Sequence, residues 1–298
     1  MRRYMNRYAI VNYSQKYEVF SGINIIYHNI HTKTMELELS DKSKKNSFSI
    51  FHCREGRMEC KIGGDFCYVS PGDLMIAKTS LLDKTAQFPL GHYHGITLDI
   101  DVDLAPECFS CFIKDVAVQP AFIIDKFCHE KAYFIARSNQ SFEHIFSELY
   151  TVPSEIKQGY FKIKILELML FLSVFENRDE SLSRFISPYK VVLAKKVCDF
   201  LTENMNEKFT IEQMAQKFNT SATNIKTAVK AVYGVPFYAF TKSQKMESAA
   251  YMLEYTDKTI MQIAGEHGYD NSSKFANAFR SVKGVAPMEY RQINQKNK

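Results

Sequence analysis

Between residues 23 and 103 the apolar positions fall in short runs, and several runs alternate with polar residues. Ile23–Tyr27, Phe48–Phe51, Met58–Ile62, Phe66–Val69, Leu74–Ala77 and Gly95–Ile100 are rich in β-branched and aromatic side chains. Thr97–Leu98–Asp99–Ile100–Asp101–Val102 alternates without a break, the signature of a strand with one face buried. Gly63–Gly64–Asp65 and Ser70–Pro71–Gly72–Asp73 supply turns between runs. Short strands joined this tightly predict an antiparallel barrel or sandwich. Residues 1–22, polar and aromatic, are expected to be a loose lead-in.

After about residue 120 the spacing becomes helical. Phe142, Ile145, Phe146 and Leu149 fall at i, i+3, i+4 and i+7. Pro153 and Ser154 open a long helix in which Tyr160, Ile163, Leu166, Leu168, Met169, Leu170, Leu172 and Val174 leave almost no polar face. Such a helix must be buried on more than one side, between domains, in a dimer interface, or both. The charged, Ser-rich stretch that follows, ending at Pro188, reads as a linker. The expected domains are 1–180, a linker at 181–189, and 190–298.

The last hundred residues are helical throughout, and they repeat. Val232, Gly234 and Val235 recur as Val282, Gly284 and Val285; Lys230 recurs as Arg280, Val229 as Phe279 and Ile225 as Phe275. Ala215 recurs as Ala264, one residue closer, so one turn is a residue longer. Thr210–Ile211–Glu212–Gln213 is a capping box opening a scaffold helix striped by Ile211, Met214, Ala215 and Phe218. Ser221 then caps a helix striped by Ile225, Ala228, Val229 and Val232, which Gly234 stops. A helix over about 237–254 joins this unit to a second, with Ile260, Ile263 and Ala264, a stop at Gly268, and a helix from Ser272 to Gly284. Each unit reads as a helix–turn–helix, and two in one chain can enter successive major grooves of DNA.

Ile260, Ile263–Ala264, Gly268–Tyr269, Ser273, Phe275, Phe279–Arg280, Gly284, Pro287 and Tyr290–Arg291 carry a resemblance to the signature region of the AraC/XylS family of bacterial transcription regulators. The resemblance covers about residues 191–292. It implies an α+β protein: an N-terminal cupin-like antiparallel β-barrel with helices, which senses a small molecule and dimerises, and a C-terminal all-α domain with two recognition helices, about 221–233 and 272–283. It places base-edge contacts on Thr223, Lys226 and Thr227, and on Ser272, Ser273 and Asn277. These positions lie opposite the apolar stripes, near the N-terminal halves of their helices. Asn277 has the groups to grip adenine, and Lys226 suits guanine. Lys230 and Arg280, a turn further on, are expected on phosphates, as are the helix N-termini at Thr210, Ser221 and Ser272. The chain departs from the family at Thr227 and Lys245, where Arg is usual, and at Val229, where Phe is usual. With Thr at 227, the Arg–guanine contact that the resemblance implies for the first helix is not expected there.

Composition supports this picture. The 298 residues are 46% apolar and 24% charged, as in globular proteins, with a formal charge of +5. Residues 188–298 hold 16 Lys/Arg against 10 Asp/Glu, and the remainder 22 against 23, so the positive surplus lies with the repeat. Tyr, Asn and Gln interrupt the basic N-terminus, and the greasy run Ile165–Phe175 is too short to span a bilayer. A cytoplasmic protein with reduced thiols and no membrane partner is expected. Promoter DNA, a homodimer partner, an unidentified effector and, for an activator, RNA polymerase are the expected partners.

Outside the repeat the chemistry is sparse. His92 and His94 would share a strand face, as in metal-binding cupins, but no Glu follows at the usual spacing; pocket lining or polar surface is the other reading. Cys108 and Cys111, with Cys128 and His129 downstream, have the ligand types for zinc or a redox switch, although their apolar neighbours favour packing. Cys53, Cys60 and Cys67 read as small hydrophobes. Phe51, Phe66, Tyr68, Phe88 and Tyr93 are candidates for pocket lining or core. No catalytic residue, resident metal or cofactor is assigned. The alternative to a regulator is a metal-dependent cupin enzyme, or a metal or redox sensor, fused to a DNA-binding domain.

Overall fold

The computed structural model describes residues 13–39, 46–106, 118–176 and 186–294. The chain divides into two compact units, Met1–Phe185 and Ile186–Lys298. The fold class is α+β, with the strands in the first unit and a helical second unit.

In the first unit the described strands are β1 Tyr13–Phe20, β2 Ile23–Ile30, β3 Thr34–Glu36, β4 Ser47–Gly56, β5 Met58–Ile62, β6 Asp65–Val69, β7 Asp73–Lys78, β8 Thr85–Gln87, β9 Tyr93–Asp101 and β10 Tyr133–Arg137. They pair antiparallel in two sheets, ordered β1-β2-β9-β4-β7-β10 and β3-β8-β5-β6. One core lies between the sheets and takes Phe51, Cys53, Met75 and Tyr93 from the first, and Met58, Cys60, Cys67, Val69 and Ala86 from the second. A second core lies on the other face of the six-stranded sheet. There Ile23, Ile25, Phe48, Ile50, Leu74, Ile76, Ile96, Leu98 and Ile100 meet α1 Pro120–Cys128, α2 Gln140–Leu149 and α3 Lys157–Val174. The central strands are therefore covered on both faces, which is why Ser47–Cys53 is buried without interruption.

Two strands lie where the sequence pattern pointed elsewhere. The expected lead-in contains β1, which pairs with β2 from Tyr13↔Asn29 to Phe20↔Ile23. It is an edge strand with only Val19 buried, so it carries little apolar signal. Tyr17 anchors it, meeting Tyr27 and Phe161 edge-on at 5.9 and 5.4 Å and accepting a 2.6 Å hydrogen bond from Lys157. β10 comes from the stretch that follows α1 and pairs with β7 at the opposite edge.

Within the single chain the long helix packs along one side. α3 buries Phe161, Lys164, Ile165, Leu168, Met169 and Leu172, while Ile163 (61%) and Val174 (72%) are exposed. Lys164 points inward because Glu148 and Glu167 bind its ammonium, the latter at 2.8 Å.

The second unit comprises α4 Pro188–Glu203, α5 Ile211–Lys217, α6 Ala222–Tyr233, α7 Phe237–Tyr255, α8 Ile260–Glu266, α9 Ser272–Lys283 and α10 Pro287–Asn294. Pro188 and Tyr189, expected in the linker, open α4; residues 181–185 lie outside the described residues. α7 packs against α4 and α6 and also against α8, α9 and α10, so it joins the two halves.

Candidate nucleic-acid interface

α6 and α9 are built alike. Ile225, Ala228, Val229 and Val232 are fully buried on α6, as are Phe275 and Phe279 on α9. Burying those stripes turns the opposite faces outward. Thr223, Lys226, Thr227 and Lys230, at i, i+3, i+4 and i+7, form one exposed row; Ser272, Ser273, Asn277 and Arg280 are exposed on α9. Lys274 is also exposed there, in the first turn, a cation that stripe-based reasoning passed over. Neither helix contains an Asp or Glu. Each exposed face thus offers cations and neutral hydrogen-bonding groups with no acidic side chain of its own helix.

The ends of both helices are fixed locally. Ser221 Oγ accepts a 3.1 Å hydrogen bond from the Asn224 N–H. At α9 the cap is Asn271, one residue before the expected Ser272; its Oδ1 accepts from the Ser273 N–H at 2.7 Å and, more loosely, from Lys274. Gly234 and Gly284 stop the helices at φ of 77° and 80°, donating back to the Lys230 and Arg280 carbonyls. Thr227 Oγ1 donates to the Asn224 carbonyl at 3.1 Å, so its proton is used within the helix and its lone pairs face outward.

The scaffold helices match as well. Thr210 and Gln213 form the expected capping box at α5, and Thr259 and Gln262 form another at α8. The second box was legible as Thr259–Ile260–Met261–Gln262, displaced 49 residues like Ala215 and Ala264. Thr210 Oγ1 accepts from the Gln213 N–H and keeps its own O–H to donate, while the Thr210 N–H is spent on Gln213 Oε1, so this terminus offers an anion that hydroxyl and the main-chain N–H groups of the first turn. The longer turn is the second one, residues 267–271 against 218–221.

The candidate sites of the first unit do not converge in this way. His92 and His94 sit at the start of β9, beside His31 and Glu55. His94 Nε2 lies 3.2 Å from His31 Nε2, and its Nδ1 lies 3.2 Å from Glu55 Oε2. Partial burial and the two neighbouring imidazoles lower the pKa of His31. Among the described residues no group of three His, Cys, Asp or Glu is placed to hold a metal ion. Cys108 and Cys111 lie outside the described residues. Cys128 is buried, its Sγ 3.8 Å from the Ile76 carbonyl, and burial pushes its thiol up to about 11. His129 faces solvent and bonds Asp125, so these two side chains do not share a site. Cys60 and Cys67 are direct cross-strand partners on β5 and β6, a pairing hidden by their spacing of seven. Phe51, Phe88 and Tyr93 belong to the core between the sheets, and the buried Tyr68 donates to Glu59 at 2.5 Å. Phe66 is half-buried on β6, with the Lys61 ammonium 4.8 Å from its ring centre. A polar row runs through the same inter-sheet space: His28 Nε2 lies 2.8 Å from Thr97 Oγ1, and Ser49 bonds Asp99 and Thr79.

Residues 214–293 match the family model described as a helix-turn-helix domain. An uncharacterised HTH-type transcriptional regulator of Escherichia coli (strain K12), YdiP, is 29% identical over 124 residues, 42% of this chain and 40% of that protein. One from Staphylococcus aureus (strain COL) is 27% identical over 96 residues, 32% of this chain and 13% of that protein. The matched regions thus span less than half of these relatives. Among solved structures, the C-terminal domain of AraT, a response regulator from Geobacillus stearothermophilus, is 26% identical, with 36% of this chain and 88% of that chain covered and a TM-score of 0.35. The DNA-binding domain of AdpA in complex with a target DNA is 22% identical, with 34% and 90% covered and a TM-score of 0.33.

Proposed function

We infer that the C-terminal region, where residues 214–293 match a helix-turn-helix domain, is a DNA-binding domain of the AraC type. We propose that the chain as a whole is a sequence-specific transcription regulator that inserts α6 and α9 into successive major grooves of promoter DNA. The observation that carries this is the matched pair of capped, acid-free helices, each with its apolar stripe buried and its polar row exposed. In this reading Thr223, Lys226 and Thr227 meet base edges in one half-site, and Ser272, Ser273 and Asn277 in the other. Lys230 and Arg280 take phosphates, with the N-terminal turns capped by Thr210 and Ser221 adding donors.

The first unit is proposed to sense a small-molecule effector and to form the homodimer. The buried polar row around His28, Ser49, Thr97 and Asp99, beside the apolar side chains between the sheets, supports the first role. The exposed Ile163, Phe171 and Val174 on α3 support the second. An effector acts only insofar as it binds one arrangement of the protein better than another. RNA polymerase becomes a partner if the protein activates. The test is a gel shift on the chain's own upstream DNA, with candidate metabolites added. Sequence-selective retardation is expected, and equal retardation of unrelated duplexes would remove the reading.

A further inference from the structure

A buried amine lies where the two helix–turn–helix units meet. Lys245 is in the middle of the connecting helix α7 and is 8% exposed. Its Nζ donates to the Glu207 carbonyl at 2.8 Å and to the His267 carbonyl at 3.0 Å. Glu207 belongs to the segment leading into α5, the scaffold helix of the first unit. His267 closes α8, the scaffold helix of the second. One ammonium therefore ties three segments: the stretch that leads into the first scaffold helix, the end of the second, and the helix that joins the units.

The neighbourhood is shaped around that group. The His267 carbonyl sits at a helix C-terminus, where carbonyls lack helical partners and the dipole favours a cation. Gly268 follows at φ +74°, and a Cβ there would lie 3.1 Å from the Asn206 carbonyl and 3.4 Å from Lys245 Nζ. The two segments approach so closely that a side chain at 268 would press them apart. Lys208 and Asp270 close the outer side with a 2.9 Å ion pair, exposed and worth little by itself. Burial, with Lys208 nearby, lowers the pKa of Lys245, so the ammonium sits here against its preference for water. An apolar side chain would avoid that desolvation, but it could not bond two carbonyls from different units.

We propose that Lys245 is a positioning residue that sets the placement of α6 relative to α9, and with it the half-site separation the protein accepts. The inference rests on the DNA-binding reading above and deepens it. The test uses the full chain and a duplex selected by the wild type from a randomised pool. That duplex is then varied by inserting one base pair between its half-sites, and each half-site is also probed alone. The wild type is expected to lose about tenfold in affinity on insertion. Lys245→Met should bind the parent duplex about tenfold more weakly, lose little further on insertion, and keep its half-site affinity. Lys245→Arg, which restores a donor, should recover the wild-type profile. If Lys245→Met weakens every duplex equally, or keeps the wild-type spacing dependence, the inference is overturned while DNA binding stands. If the wild type selects no sequence, the DNA-binding reading falls and takes this inference with it. Should Lys245→Met fail to fold, Gly268→Ala replaces it, pressing on the same contact without removing a core side chain; an unchanged spacing profile there also overturns the proposal.

Discussion

Replacing Phe279 by alanine tests whether α9 is held by its buried stripe. Phe279 is fully buried, with the rings of Phe275 and Tyr290 at 5.9 and 5.3 Å. A buried aromatic side chain removes about 150–250 Å² from water, about 4–6 kcal/mol as an upper bound. Alanine keeps part of this and leaves a cavity, so the expected loss is about 3–5 kcal/mol. The equivalent residue in the first unit, Val229, is also fully buried, but Val→Ala removes only two carbons. Its expected cost is about 2 kcal/mol, transfer and cavity together. The two substitutions occupy the same place in matched units, so their difference isolates side-chain size. Equilibrium urea unfolding of the full chain, followed by far-ultraviolet circular dichroism, reads both. The chain has no Trp for indole fluorescence. Phe279→Ala should be the more damaging by about 2 kcal/mol. A difference below about 0.5 kcal/mol would refute the claim that the α9 stripe is a tightly packed core.

Four further outcomes are expected. Asn271→Ala removes the α9 cap and should cost about 1 kcal/mol in the same urea assay; no change would mean that Ser272 or water replaces it fully. Asn277→Ala should lose discrimination at one or two base pairs, about 1–3 kcal/mol in competition binding, and an unchanged site preference removes it from the base contacts. Lys230→Ala should weaken binding to all duplexes and shrink the slope of log affinity against log salt by about 0.9; a sequence-specific loss contradicts the phosphate role. His28 is buried against Thr97, and burial lowers its pKa from 6.5 to about 4. Below pH 6.5 the unfolded chain takes a proton that the fold resists. Stability should therefore fall as the pH drops from about 6.5 to about 4, by roughly 3 kcal/mol over that window. His28→Gln should remove that part of the profile, and overlapping profiles for the two proteins would contradict the burial argument.

The repeat made the second unit legible because a helix–turn–helix is specified by residues close in the chain. Capping boxes, helix-stopping glycines and stripes at 3.6-residue spacing act within one or two turns. The exposed rows on α6 and α9 follow from those stripes by geometry. The placement of Asn271 as the cap is a matter of one residue, decided by which side chain reaches two free N–H groups. The first unit was legible where strands are apolar and silent where they are not. β2, β4, β7 and β9 announce themselves; β1 does not, because an edge strand with one open side is allowed to be polar.

What the sequence determined alone is therefore local: the paired helices of the repeat, their stops and outward rows, most of the central strands and the location of the positive charge. Tertiary structure decided whatever depends on residues far apart meeting. It paired β10 with β7, set Cys60 against Cys67, turned Lys164 inward between two carboxylates, and brought the carbonyls of Glu207 and His267 to one ammonium on α7. No periodicity encodes such meetings. They depend on how already formed elements close on one another, and a buried amine or carboxylate finds its partner only when the chain is folded.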